Sequence, residues 1–244
     1  MEAALVIRPL LAALSLLGAQ IAPSAAPPAP LGELHFVAHW RLLEVGTATL
    51  TSGDVGGLRQ IRFSADSNGV VNLFYPVRDR LTSSLRVAPY CAVRDDNETS
   101  EGRRHRKTEI VFAPDQRQLV LDETDLAAKP PVAKHEVKPI PGCVLDLLGA
   151  LEFLRAQPLH IGDRYAMQVN QGGATRDVQV MVDLHETVAT PAGRFSAVRV
   201  TPQALAPLDH PGQLWIWFSD DARHLPVQIE AKVSWGTLLA QLAP

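Results

Sequence analysis

From Leu225 to Trp235 the chain reads L-P-V-Q-I-E-A-K-V-S-W. Leu225, Val227, Ile229, Ala231, Val233 and Trp235 take the odd positions, and Gln228, Glu230, Lys232 and Ser234 fall between them. Side chains alternate faces along a strand, so this pattern predicts a strand with one buried and one wet face. Upstream, Leu214-Trp215-Ile216-Trp217-Phe218 is apolar on both faces, as in a strand covered on both sides. The linker Ser219 to His224 joins the two as a hairpin. Similar patterns predict strands at 34–42, 46–50, 59–65, 79–87, around Cys91, and at 103–112, 118–121, 165–169, 176–184 and 195–201.

Two turns support these assignments: Ala113-Pro114-Asp115-Gln116-Arg117 has type I turn chemistry, and Gln171-Gly172-Gly173 joins two strands. Val70 to Tyr75, ended by Pro76, is expected to be a helical turn plugging one end of the core. Residues 124–142, with Pro130, Pro131, Pro139 and Pro141, read as a long surface loop. The one convincing helix spans Cys143 to Ala156. Val144, Leu147, Leu148, Leu151 and Leu154 share one side of it, and Pro158 blocks its extension. About ten or eleven short strands and one principal helix make a mainly β chain, a large curved antiparallel sheet or open half-barrel with the helix packed on it.

The N-terminus changes the expected location. Arg8 precedes an apolar run from Leu10 to Ala22, and small residues follow at Ser24, Ala25 and Ala26. This reads as a signal peptide over residues 1–25, cleaved after Ala22 or Ala25, because the run is too short to span a bilayer. In Leu16-Leu17-Gly18-Ala19 the position a lipoprotein would give to Cys holds Ala19. The expectation is a periplasmic or secreted protein that is not a lipoprotein, with no membrane-spanning segment after the signal. Residues 26–33 read as a Pro-rich, unfolded leader, and 34–244 as a single β-rich domain. The formal net charge of −3 argues against nucleic acid as a partner. Cys91 and Cys143, a pair in an exported chain, are expected to form a disulfide.

Candidate chemistry is sparse. The eight histidines include no HxH or HExxH arrangement. His35 and His39, on one strand face, would lie roughly 13 Å apart at strand rise, so no metal site is expected. Ser219, Asp220, Asp221 and His224 hold the letters of a hydrolase triad, but in one short linker they read as turn formers. No catalytic residue and no cofactor are expected. Arg103-Arg104-His105-Arg106-Lys107 reads either as a charged strand end that blocks edge-to-edge association or as a patch for anionic lipid or polysaccharide. Trp215 and Trp217, on one strand face, either fill the core or line a groove for an apolar ligand.

Gly46-Thr47-Ala48-Thr49-Leu50, Ser67-Asn68-Gly69 through Phe74-Tyr75-Pro76-Val77-Arg78-Asp79-Arg80, and Glu101-Gly102-Arg103-Arg104 form a familiar series. It continues with Asp146-Leu147-Leu148, Phe153-Leu154-Arg155, Thr190-Pro191-Ala192-Gly193 and the stretch from Trp217 to Pro226. In order and spacing the chain resembles the bacterial exported proteins of domain-of-unknown-function family 3108. The resemblance implies a β-rich envelope protein and carries over no catalytic or binding residues. The cysteine pair is not a feature of the family as a whole.

The expected function is therefore that of a non-enzymatic envelope protein binding an amphiphilic or polymeric component: a lipid, a lipoprotein or a polysaccharide. Trp215, Trp217 and Phe74 are the candidate lining residues, and Arg103, Arg104 and Arg106 the candidate head-group contacts. Two alternatives are a protein-interaction or structural module, which would offer another envelope protein an exposed sheet edge or face, and a hydrolase.

Overall fold

The computed structural model describes residues 27–203, 212–233 and 236–244. The segment expected to be a signal peptide, residues 204–211, Ser234 and Trp235 lie outside them. The strands are β1 (Gly32–Trp40), β2 (Leu43–Val55), β3 (Leu58–Ser67), β4 (Val77–Val87), β5 (Tyr90–Glu101), β6 (Arg104–Ala113), β7 (Gln118–Asp125), β8 (Val132–Pro139), β9 (Arg164–Gln171), β10 (Ala174–Thr190), β11 (Gly193–Gln203), β12 (Gly212–Ser219), β13 (Pro226–Val233) and β14 (Gly236–Ala243). The helices are α1 (Val71–Phe74) and α2 (Leu147–Arg155).

All fourteen strands form one antiparallel sheet in the order β8-β7-β6-β5-β4-β3-β2-β1-β14-β13-β12-β11-β10-β9. The sheet curls until its two ends approach. Gly173, at the β9–β10 turn, sits where a Cβ would lie 2.6 Å from Leu121 of β7 and 3.0 Å from the Lys138 ammonium of β8. Its φ of +80° adds a second reason for glycine there. The segment Cys143–Leu145 bridges the remaining seam. Ala92 N donates to Val144 O at 2.8 Å, Leu145 N to Gln168 O at 2.9 Å, and Asn170 N to Leu145 O at 2.7 Å. The Cys91–Cys143 disulfide, with Cα atoms 5.0 Å apart, ties this segment to β5.

Helix α2 follows directly and packs inside the curl against β3, β4, β5 and β9. Asp146 caps its first turn, accepting from Gly149 N at 2.6 Å. The inner face can be traced through residues directly opposite one another, which share a face. Ile61 stands opposite both Ser83 and Ser52. Leu50 opposes Leu34, Phe36 opposes Leu242, Ala240 opposes Ile229, and Ile229 opposes Ile216. Most of the apolar side chains on this path are fully buried, and they form one core cluster with Leu145, Leu154, Val178, Val180 and Val200. A second cluster, around Ile110, Leu119, Leu121 and Val144, fills the β5–β8 end.

The structure departs from the sequence-based expectation at four elements. The stretch 124–142 contains strand β8, exposed along nearly its whole length. An edge strand wet on both faces carries no alternation to read. The C-terminus adds a further strand, β14, beyond the closing hairpin. Helix α1 plugs nothing, for its Leu73 and Phe74 are about 78% and 81% exposed. Helix α2 begins at Leu147 rather than Cys143, because Val144 and Leu145 are extended in the seam. Leu147 faces outward while Glu152 and Arg155 are buried. In the proline-rich leader, the Pro28 and Ala29 carbonyls accept hydrogen bonds from Arg59 (3.0 Å) and Arg155 (3.3 Å).

Candidate functional site

Three neighbouring connections meet at one end of the sheet: the β1–β2 turn at Arg41 and Leu42, the β3–β4 connection that carries α1, and the β5–β6 turn at Gly102 and Arg103. They are tied to one another. Asn68 N donates to Val45 O at 2.9 Å and Asn68 Nδ2 to Glu44 at 2.8 Å. Gly102 N donates to Pro76 O at 2.8 Å. The Tyr75 ring lies against Gly102, where a Cβ would come within 2.8 Å of it. The rim so formed leaves Leu42, Leu43, Val70, Leu73, Phe74 and Tyr75 largely exposed. Six large apolar side chains on adjoining tips make a patch rather than the scattered exposure common on any surface.

Basic groups surround the patch. Arg103 and Arg104 are exposed and, among the described residues, in no ion pair. Arg41 lies over the Trp40 ring at 5.6 Å. Arg80 is paired with Asp66 at 2.9 Å, Arg106 with Glu123 at 3.9 Å and His105 with Glu98 at 3.0 Å. Beneath the rim, burial first and then the Glu101 charge push the Asp79 carboxyl up to about 6.

Of the sequence-predicted ligand contacts, the structure thus brings Phe74, Arg103 and Arg104 to one rim, with Arg106 two residues along β6. Trp215 and Trp217 lie elsewhere. Trp217 stands opposite Arg199 and Gln228, and Trp215 opposite Glu230, so both are on the outer face of the sheet. Trp217 is buried there under polar neighbours, its Nε1 donating to Glu186 at 2.8 Å and the Arg199 guanidinium 5.8 Å from its ring. In the β12–β13 turn, Ser219 Oγ donates to Asp221 at 2.9 Å and accepts from Leu225 N at 2.8 Å. His224 Nδ1 meets the Arg155 carbonyl at 2.9 Å, and Asp220 meets His185 at 3.0 Å. These side chains therefore serve the turn and its neighbours rather than converging. Among the described residues no three His, Cys, Asp or Glu side chains cluster as metal ligands.

Sequence reasoning missed two buried polar groups under α2. Arg59 of β3 pairs with Glu152 and with Asp54 (2.6 Å), and Arg155 pairs with Glu152 at 2.6 Å. Glu152 and Arg155 at i, i+3 read as an ordinary exposed helix pair, and nothing local points to Arg59. Nearby, Ser83 Oγ donates to Asp146 at 2.5 Å, and Asp95 lies directly opposite Ser83 and accepts from Asn97 at 3.0 Å. Burial, then the Asp146 charge, push the Asp95 carboxyl up to about 8. Asp146 also is pushed up, by burial, but Ser83 and two helix N–H groups donate to it. Asp95 accordingly holds the proton of the pair.

Beside the seam lies a half-open groove of about 490 Å³, lined by Tyr90, Leu145, Phe153, Ala166, Met167 and Asp177 among others. The Tyr90 and Phe153 rings meet edge to face at 5.5 Å. Tyr90 Oη is buried without a hydrogen-bond partner among the described residues. Burial and then the Glu152 charge push its phenol up to about 12, so it remains a donor.

A single antiparallel sheet curled around one helix, with its seam bridged by a disulfide-anchored segment, defines an open β-barrel-like protein. The family model "Protein of unknown function (DUF3108)" matches residues 35–243, and the chain belongs to that family. No curated protein matches the chain. Among solved structures it is similar to a β-barrel-like DUF1849 protein from Brucella abortus, with a TM-score of 0.59 and 9% identity. That match covers 89% of this chain and 97% of the other, and it shows a shared fold. A lipoprotein described as putative, from Parabacteroides distasonis ATCC 8503, aligns over 88% of this chain and 95% of its own, with 8% identity and a TM-score of 0.29.

Proposed function

We propose that this chain is an exported, non-enzymatic protein of the bacterial cell envelope that binds an anionic amphiphile through its α1 rim. One observation carries the reading: exposed Leu42, Leu73 and Phe74 adjoin Arg103 and Arg104, which have no carboxylate partner among the described residues. Apolar side chains that gain by leaving water, set beside cations that gain by meeting phosphate, suit an interface between acyl chains and anionic head groups. The disulfide, and family membership together with the signal-like N-terminus, support an envelope location. The test is sedimentation of the mature protein with vesicles of equimolar phosphatidylglycerol and phosphatidylcholine, against vesicles of phosphatidylcholine alone. Binding to the anionic vesicles that weakens as salt is raised is expected; equal binding to both kinds, or to neither, contradicts the proposal.

A further inference from the structure

The two ends of the sheet are unequally protected. At one end, β8 carries Lys134 and Lys138 and is bounded by Pro130, Pro131 and Pro139, the usual guards against strand addition. At the other, β9 reads R-Y-A-M-Q-V-N-Q, with no proline or lysine. We propose that the groove beside the seam takes an extended peptide segment, which adds to the free edge of β9 at Ala166 and Gln168.

Backbone alternation identifies the open groups. Strand β9 pairs with β10 on one side only. In an antiparallel pair, alternate residues direct both N–H and C=O toward the partner, and those between direct them away. Gln168 O and Asn170 N are taken by Leu145, so the even-numbered residues of β9 face the free edge. Leu145 already shows that this edge accepts a strand. Below it, Gln168 N–H and both main-chain groups of Ala166 point toward the groove, and Ala166 is exposed. An extended backbone offers donors and acceptors at this two-residue spacing. The wall of Tyr90, Phe153, Leu145 and Met167 suits an apolar side chain of the incoming segment. Among the described residues of the lining Asp177 alone is charged, which favours a neutral or basic side chain on the outer face. An acyl chain would cover the same wall but leave the Ala166 and Gln168 groups unmet. This site is separate from the α1 rim and stands or falls independently of it.

Panning the disulfide-intact protein with a displayed random heptapeptide library supplies the probe, and one selected peptide is then synthesised and titrated. Expected are sequences alternating apolar with neutral or basic residues, together with slowed hydrogen exchange at the Ala166 and Gln168 amides. Ala166→Pro, which an edge strand tolerates, should weaken binding about tenfold or more by removing one donor and crowding the edge. Selected peptides that bind Ala166→Pro as well as the parent overturn the proposal. So do a library that yields no binder, exchange protection confined to other residues, and oleic acid displacing the peptide from the groove without protecting those amides.

Discussion

Asp95→Asn tests the reading of the buried carboxylate pair. Asp95 lies beneath α2, about 8% exposed, and holds its proton up to about pH 8. In the unfolded chain the same group titrates near its ordinary value of about 3.9. Between these limits the folded state carries the extra proton. Its contribution is therefore complete below the unfolded value and is lost as pH rises toward the folded one. The loss is roughly 1 to 2 kcal/mol per pH unit, so about 2–3 kcal/mol disappears between pH 6 and 8. That is a large part of the roughly 5–15 kcal/mol that holds a typical domain folded. Asparagine keeps the carbonyl that accepts from Asn97, supplies N–H where the neutral acid has O–H, and has no charge to desolvate. Urea unfolding followed from pH 6 to 8 should show the parent losing stability more steeply than the variant, which keeps only the contributions of Asp146 and Asp79, so the advantage of the variant grows with pH. Parallel curves for the two proteins would refute the assignment of the proton to Asp95.

Three other outcomes follow from the packing. Glu152→Ala strands the buried Arg59 and Arg155 guanidinium groups and should cost about 3–5 kcal/mol, read from the urea midpoint; an unshifted midpoint would show that the cluster is solvated. Replacing Cys91 and Cys143 by serine should cost about 4 kcal/mol, and should speed hydrogen exchange in the Val144–Leu148 segment before the rest of the sheet; uniform change would contradict its role as the seam's anchor. Trp217→Phe removes the bond to Glu186 and should cost about 1 kcal/mol while vesicle binding stays unchanged. A loss of binding like that of a rim variant would move the site to the outer face.

Strands with one buried face were legible because alternation survives in the sequence: β13 shows it over Val227, Ile229 and Ala231. Elements without that contrast were not. In β8 nearly every side chain is wet, and β14 is half-buried along most of its length, so no period of two stands out. The stripe of leucines located α2 but misjudged its facing, because the curled sheet surrounds the helix and buries Glu152 with a partner 93 residues away. At the site, Phe74 and Arg103 could be singled out by type, but only strand pairing brings their tips together. The orientation of Trp215 and Trp217 hung on the register of β12 with β11, which places Arg199 beside Trp217.

The rim reading is tested most directly by vesicle flotation of Leu73→Glu/Phe74→Glu beside the parent protein, on equimolar phosphatidylglycerol and phosphatidylcholine. Both side chains are exposed, so the double variant should fold with unchanged stability. Each loses about 2 kcal/mol of transfer into the acyl region, so the double variant should bind roughly a hundredfold more weakly or worse. Flotation of the folded double variant equal to that of the parent would contradict the account.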